Sequence, residues 1–489
     1  MFKQSTSQTL MLTFALGGFL ALGACGQSPE PSAETAKPAV VDQAATTIEL
    51  TDEQVNDIVR RSYRFVAMYN VNNKLAFDSE NPMATGGLNI FFANTNLADH
   101  NLKAIARPNN DTLYVSALVD LSHEPVIIES PAFDSKYVSL MITGYDHYVN
   151  IPMSTRQGDF SEPSTLLLYS ARTPGYAGEA VEGIDKIAEM SGDFVSVVYR
   201  VMPHANDPDR LQRNLDAMQA IKAVPLSEFL PGTITPAEDE IAFPDFGRSD
   251  FDVFGNNYLE VMQFIFNHTT FDPDDEIDQG VLAALEPLGV VPGREFDPEN
   301  VEKIDGARFR ATAESVLQQE VAKATDPEFF ARVVTQMFQL KGNMTDEVLL
   351  FQSIIGPIGQ PASEAVYPSI ATSDGVPMNA MNDYIVRMTA DQMPPATAFW
   401  SLTLYDLANG FFMPNDHKKY SVGENAGMQL DDEGGITIYV AENQPEGVPL
   451  DNWLPLVRGD YAFDLIMRLY APDLEKFANW TPPKAEIVE

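Results

Sequence analysis

Arg107-Pro-Asn-Asn-Asp-Thr-Leu-Tyr114 gathers an arginine, two asparagines, an aspartate, a threonine and a tyrosine just before an apolar run. Two readings are open. In the first the stretch is a turn: Pro108 fixes its own φ, and Asn109, Asn110 and Asp111 cap backbone N–H groups ahead of a strand at Leu113. In the second it is a turn and also a site, because more polar groups are present than one turn requires. Arg107 would then hold a carboxylate or phosphate through its planar fork, and Asp111 would take a proton or bind a cation through oxygen. Thr112 and Tyr114 belong to the same candidate ligand site.

Other chemistry is sparse. The chain contains no G-x-S-x-G, no H-E-x-x-H, no phosphate-binding G-x-x-x-x-G-K and no G-x-G-x-x-G, so no catalytic residue or cofactor is assigned. His100, His123, His147, His204, His268 and His417 are scattered, none at a metal-ligand spacing from another, and no metal site is assigned. Asp272, Asp274, Asp275, Glu276 and Asp278 resemble a calcium loop in density but lack its glycine and its final glutamate, so they read as an acid-rich helix start. Trp400, Tyr405, Tyr420, Trp453, Tyr470 and Trp480 invite sugar stacking, though alternation along a strand favours core for most of them. Trp453, in an apparent loop Asn452-Trp-Leu-Pro455, is the best candidate for an exposed stacking platform.

The elements that must position these residues follow an N-terminal leader. Lys3, an apolar run from Leu10 to Leu22 and small residues before Cys25 form a secretory signal over 1–24, too short for a stable membrane span. Leu22-Gly-Ala-Cys25 resembles the lipobox of bacterial lipoproteins, which implies a lipid on Cys25, the only cysteine; Gly26 rather than Asp after it implies sorting to the outer membrane, facing the periplasm. Residues 25–47, rich in Ser, Pro, Ala and Glu, are a flexible tether. Without another cysteine the body must be held by burial alone, for which 45% hydrophobic and 10% aromatic residues are ample. A net charge of −39 disfavours nucleic acid and anionic lipid as partners, leaving membrane contact to the lipid.

Order begins at the capping box Thr51-x-x-Gln54, followed by Val55, Ile58, Val59, Ser62, Val66 and Tyr69 at helical spacing. From about 85 to 203 the period changes to two, with strands at Leu113–Val119, Pro125–Ile128, Tyr137–Ile142 and Phe194–Tyr199. Helical patterns run from Asp207-Pro208, Tyr258 to His268, Arg308 to Val321, Asp326 to Leu340 and Asp346 to Ile355. Strands return at Ala398–Tyr405, Ile436–Val440 and Phe463–Tyr470. The expected divisions are 48–205 for an N-terminal helix and sandwich, 206–364 for a helical region and 365–489 for a second sandwich. Tyr137–Asp146 also looks like Phe399–Asp406, a shared strand ending in Tyr-Asp, from duplication or convergence.

Arg107–Tyr114 with Asp120-Leu-Ser-x-Glu-Pro125 resembles the domain of unknown function 1254. Phe399–Asp406, Lys419-Tyr-Ser421, Asn452-Trp-Leu-Pro455, Arg468-Leu-Tyr470 and Trp480-Thr-Pro-Pro483 resemble its frequent partner, the domain of unknown function 1214. Lys419 stands where an arginine is expected. The resemblance implies a multidomain α+β chain: an immunoglobulin-like β-sandwich, a helical middle and a C-terminal jelly-roll-like β-sandwich. It carries no catalytic residues over. The function expected is a lipid-anchored envelope protein that binds, or hydrolyses, a small polar or glycan-like ligand. The alternative is a structural or assembly module of paired sandwiches without catalytic activity, and a homo-oligomer is open.

Overall fold

The computed structural model describes residues 48–81, 83–103, 107–232, 234–236, 241–324 and 326–488; the signal, lipid and tether expectations over 1–47, Cys25 included, lie outside them. Helix α1 (Asp52–Phe77) starts where the capping box predicts: Thr51 Oγ1 accepts from Gln54 N–H at 3.2 Å, and Gln54 Oε1 accepts from Thr51 N–H at 2.8 Å. Its apolar stripe continues into a stretch, Ser62–Asn70, that is buried on every side. That is possible because other helices surround it.

Strands β1 (Phe92–Asn94), β2 (Leu113–Asp120), β3 (Val126–Ser130), β4 (Val138–Gly144), β5 (Val149–Ser154), β6 (Ser164–Ser170), β7 (Lys186–Met190) and β8 (Phe194–Val201) follow. Helix α2 (Pro208–Ala220), strand β9 (Lys222–Pro225) and the short α3 (Leu226–Phe229) close this part. One sheet has the order β1-β2-β8-β4-β5 and is antiparallel; the other, β7-β6-β3-β9, has one parallel pair, β6 with β7. Leu113, Val115, Ala117 and Val119 of β2 alternate into a core shared with Ile128 of β3 and Leu166 and Leu168 of β6. The opposite face of the first sheet carries Tyr114, Ser116, Arg200, Val198, Ser196 and Met141.

Helices α4 (Asp250–Asn256), α5 (Tyr258–Asn267), α6 (Glu276–Leu285), α7 (Gly306–Lys323), α8 (Pro327–Val333) and α9 (Asp346–Ile355) form the middle. Asp207, Asp275, Asp305 and Asp326 cap their helices by accepting first-turn N–H groups. Asp275 sits in the acid-rich stretch, as the helix-start reading expects; Asp278, three residues on, is buried against Arg64 and Lys341. These helices pack around α1, and the same core takes Leu118, Met141 and Phe194 from the outer face of the first sheet. The periodicity over Asp326–Leu340 predicts one helix, but α8 stops at Val333. Phe338 takes a left-handed backbone (φ 55°) and gives its N–H to Gln352 Oε1 at 2.9 Å, while Gln339 O accepts from Val149 N–H. The helix is exchanged for a turn that ties α9 to β5.

The C-terminal part holds β10 (Ala365–Val366), β11 (Ser369–Ile370), β12 (Tyr384–Met388), β13 (Ala396–Asp406), β14 (Ser421–Gly423), β15 (Ile436–Ala441), β16 (Trp453–Pro455), β17 (Phe463–Pro472) and β18 (Ala485–Ile487). One sheet runs β10-β17-β13-β14, with β11 also on β17; the other runs β16-β15-β12-β18, with β15 and β16 parallel. Trp400, Leu402 and Leu404 of β13 and Leu465, Met467 and Leu469 of β17 enter the core between these sheets. Phe399, Ser401, Thr403, Tyr405, Asp464, Arg468 and Tyr470 point the other way, yet all are at most 9% exposed. A polar face buried outside its own core must meet a partner. The chain is thus multidomain α+β, with antiparallel and mixed sheets and a helical middle region.

Candidate functional site

The partner of that polar face is Arg107–Tyr114. The turn reading holds locally: Asn109 Oδ1 accepts from Asp111 N–H at 2.7 Å and Thr112 N–H at 3.3 Å, and its amide donates to Thr112 Oγ1 and Tyr114 OH. Arg107 adopts φ 51°, a region unfavourable for a non-glycine residue. Contacts from the C-terminal sheet hold it there. Arg107 N–H donates to Gly410 O at 2.6 Å, Arg468 Nη2 donates to the carbonyls of Arg107 (3.0 Å) and Pro108 (3.3 Å), and Tyr405 OH donates to Pro108 O at 2.7 Å. Asn110 accepts from Ser421 Oγ at 3.0 Å and donates to Ala98 O at 2.7 Å. The stretch is a turn and a clasp between two domains.

Charge runs through the clasp in alternation. Arg107 Nε and Nη2 both donate to Asp464 Oδ2, at 3.1 and 2.7 Å. Arg468, buried behind them, donates to Thr403 Oγ1 at 3.1 Å and Tyr405 OH at 2.5 Å. Its charge acts on Asp464 and on Asp111, which is 1% exposed and accepts from Ser401 Oγ (2.7 Å) and Tyr470 OH (3.2 Å). Burial pushes the Asp111 carboxyl up, against the pull of Arg468, Ser401 and Tyr470. Burial alone would lower Arg468; Tyr405, Asp111 and Tyr470 outweigh it and raise it. The order Arg107, Asp464, Arg468, Asp111 balances two cations with two carboxylates. Arg107, expected to be available for an anion, is therefore engaged by Asp464.

A third arginine stands outside this balance. Tyr114, Arg200 and Ser139 are aligned across β2, β8 and β4. Arg200 is 7% exposed; its guanidinium lies 5.6 Å from the Tyr114 ring centroid and donates to Ile358 O at 3.3 Å, while Nε has no partner. Burial, the largest influence, opposes its charge, but Tyr114, Tyr367, Tyr137 and Tyr470 outweigh it and hold the guanidinium above its ordinary value. The nearby Glu364 is already engaged by Arg156 Nε and Ser154 Oγ, at 3.0 and 2.9 Å, with Tyr137 OH 3.3 Å away.

Beside Arg200 is a small hollow of about 10 Å³, walled by Thr143, Ser196 and Val198 on the sheet and by Phe338 and Pro357–Gly359 opposite. Gly359 permits that closure, since a Cβ there would strike the Phe338 ring. His147 pins the opposite wall: Nε2 donates to Pro357 O and Nδ1 faces Ser353 Oγ, both at 2.8 Å. Burial pulls this imidazole down to about 4, so it is neutral at physiological pH. The serine–histidine pair is structural, because both imidazole nitrogens are occupied, His147 is fully buried and Ser353 Oγ also reaches Leu349 O at 2.6 Å.

Trp453 corrects an expectation. It is 4% exposed, begins β16, donates its indole N–H to Ala441 O at 2.8 Å and packs edge-on against His417, so it is core and not a platform. The parallel pairing of β15 with β16, unsignalled by any local turn, puts it there. Trp480 is the half-buried member of the aromatic set and lines an open groove of about 1010 Å³ with Arg387, Gln392 and Lys484. No residue lining that groove is buried, and the Trp480 N–H is taken by Gln392 O. Lys419 Nζ donates to Leu450 O, and burial pulls its ammonium down to about 8. The functional reading of the sequence missed Arg200, although a single arginine inside the apolar run Phe194–Val201 was its signal.

The model of the protein of unknown function DUF1254 matches residues 88–225 and that of DUF1214 matches residues 364–474. The crystal structure of the VPA0106 protein from Vibrio parahaemolyticus aligns with 90% of this chain and 100% of its own, at 23% identity and a TM-score of 0.68, a likeness of fold. An uncharacterized protein from Burkholderia cenocepacia aligns over 89% of this chain and 94% of its own at 12% identity, with a TM-score of 0.39, too low for a fold comparison. No curated protein sequence matches the chain.

Proposed function

From the premise that the chain belongs to the family carrying DUF1254 and DUF1214 in tandem, we propose that it is a lipid-anchored envelope protein binding a small polar ligand at the junction of these domains. One observation carries the ligand: Arg200 is buried, its Nε has no partner, and it lines a hollow between the first sheet and the helical region, with the Tyr114 ring 5.6 Å from its guanidinium. A few polar groups in a mostly apolar wall, here Arg200, Thr143 and Ser196 among Met141, Val198, Phe338 and Ile358, are the usual lining of a small-molecule site. Tyr114, beside that guanidinium, is half-buried. Hydrolysis has weaker support, since Ser401 and Asp111, a hydroxyl beside a carboxylate, are both 1% exposed and closed to substrate.

The lipid anchor rests on Leu22-Gly-Ala-Cys25. No helix among the described residues is long and apolar enough to cross a membrane. We read the two sheet pairs as an immunoglobulin-like and a jelly-roll-like sandwich, each with one shared apolar core. A second reading, a purely structural joint, is favoured by the protein partners found for Arg107, Asn109, Asn110 and Asp111. The test is a library of small polar metabolites screened by thermal shift on the wild type and on Tyr114→Ala. Compounds that stabilise only the wild type support the site. If none does, or if both proteins respond alike, the joint is structural.

A further inference from the structure

We infer that the ligand of this junction is a short organic acid whose carboxylate pairs with Arg200 and whose far end meets the hydroxyls of Thr143 and Ser196. The inference rests on the site proposed above and names its ligand class. The chain has 70 acidic residues against 31 basic ones, so cations rarely lack a carboxylate, yet Arg200 forms no ion pair among the described residues. The Arg107–Asp464–Arg468–Asp111 series is balanced without it, and Glu364 is balanced by Arg156. The junction therefore carries one uncompensated, buried positive charge. A carboxylate supplies the missing charge and, by taking Nε together with a neighbouring N–H, completes the guanidinium fork.

Thr143 and Ser196 are directly opposite each other on β4 and β8, and neither side-chain hydroxyl has a hydrogen-bond partner among the described residues. Val198 and Met141, one register step toward Arg200, are apolar and at most 7% exposed. Cation, apolar span and paired hydroxyls thus follow one another along the sheet. From Ser196 to Arg200 is about 13 Å of strand, a span that accommodates an acid of about four to six carbons between guanidinium and hydroxyls. The hollow as it stands holds about one water, so entry requires the wall of Phe338 and Pro357–Gly359 to move outward.

Arg200→Met separates a ligand role from a structural one. Replacing an unpaired buried cation by an apolar chain of similar length should leave the melting temperature unchanged or higher, whereas a structural arginine would lower it. Binding of 4-hydroxybutyrate, hexanoate and inorganic phosphate, with 1,4-butanediol as the neutral counterpart, is measured by calorimetry on the full-length protein in detergent. The expected result is that 4-hydroxybutyrate binds the wild type, 1,4-butanediol does not, and Arg200→Met and Ser196→Ala each weaken binding, the former by at least about tenfold. Butanediol binding that is lost in Tyr114→Ala but kept in Arg200→Met overturns the acid and leaves the site standing. Acid binding indifferent to Arg200 and Tyr114 overturns both. Phosphate binding in place of every carboxylate or no binding up to about 10 mM overturns the inference, while the metabolite screen on Tyr114→Ala judges the site by itself.

Discussion

Arg468→Met removes the central cation of the clasp. It takes the donors away from Thr403 Oγ1, Tyr405 OH and the carbonyls of Arg107 and Pro108, and it leaves Asp111 and Asp464 without the charge between them. Hydrogen bonds of this kind contribute about 1 kcal/mol each, which sums to roughly 4 kcal/mol. Breaking a buried ion pair by removing one partner costs about 3–5 kcal/mol, the same size by an independent route. Urea unfolding reads the change with a built-in domain label, because Trp400, Trp453 and Trp480 are the only tryptophans and all lie in the C-terminal domain. Fluorescence follows that domain and circular dichroism follows the whole chain. With an m-value of about 2 kcal/mol per molar urea, the fluorescence midpoint should fall by about 2 M and separate from the dichroism midpoint. Adding Asp111→Asn, which keeps an acceptor for Ser401 and Tyr470, should cost about 1–3 kcal/mol alone and less on top of Arg468→Met. A fluorescence midpoint that moves by less than about 0.5 M, still coincident with dichroism, would refute the clasp.

Three further outcomes are expected. His147 is neutral when folded, with a value near 4 against 6.5 for the free side chain, so its contribution is present above pH 6.5 and is lost as pH falls toward 4. The loss reaches about 3 kcal/mol, and His147→Gln should flatten that slope; buried Asp111 and Asp146, pushed up, act with the opposite sign, so the difference between wild type and variant is the quantity to measure. Gly359→Ala forces a methyl into the Phe338 ring and should lower stability by about 1–3 kcal/mol in denaturant titration. Cys25→Ser should move the protein from membrane to soluble fractions with an unchanged melting temperature; sedimentation with membranes would show that lipid is not the anchor.

Much of this architecture is visible in local chemistry. The Thr51 capping box, the Asp-Pro starts of α2 and α8 and the alternation of β13 and β17 are set by neighbours within a few residues, and they appear where the spacing puts them. The turn at Asn109 belongs to the same class. The meaning of the other polar groups does not, because their partners are distant in the chain: Arg107 meets Asp464, Asp111 meets Ser401 and Tyr470, and Arg468 reaches back to Pro108. Alternation could show that Ser401, Thr403 and Arg468 share a face, but not that the face is buried by another domain. Tyr137 and Phe399, which open the two similar strands, also meet there, with ring centroids 6.0 Å apart. Trp453 misled for the corresponding reason, since its neighbours in sequence look like a loop and its burial comes from β15.

Hydrogen–deuterium exchange on the full-length protein, with and without a compound that stabilises it, tests the junction as a ligand site most directly. Segments 107–116, 196–202 and 357–367 are separated in the chain and meet only there, so a ligand at the junction should slow their exchange together. Protection confined to the groove beside Trp480, or absent from all three segments, would contradict the account.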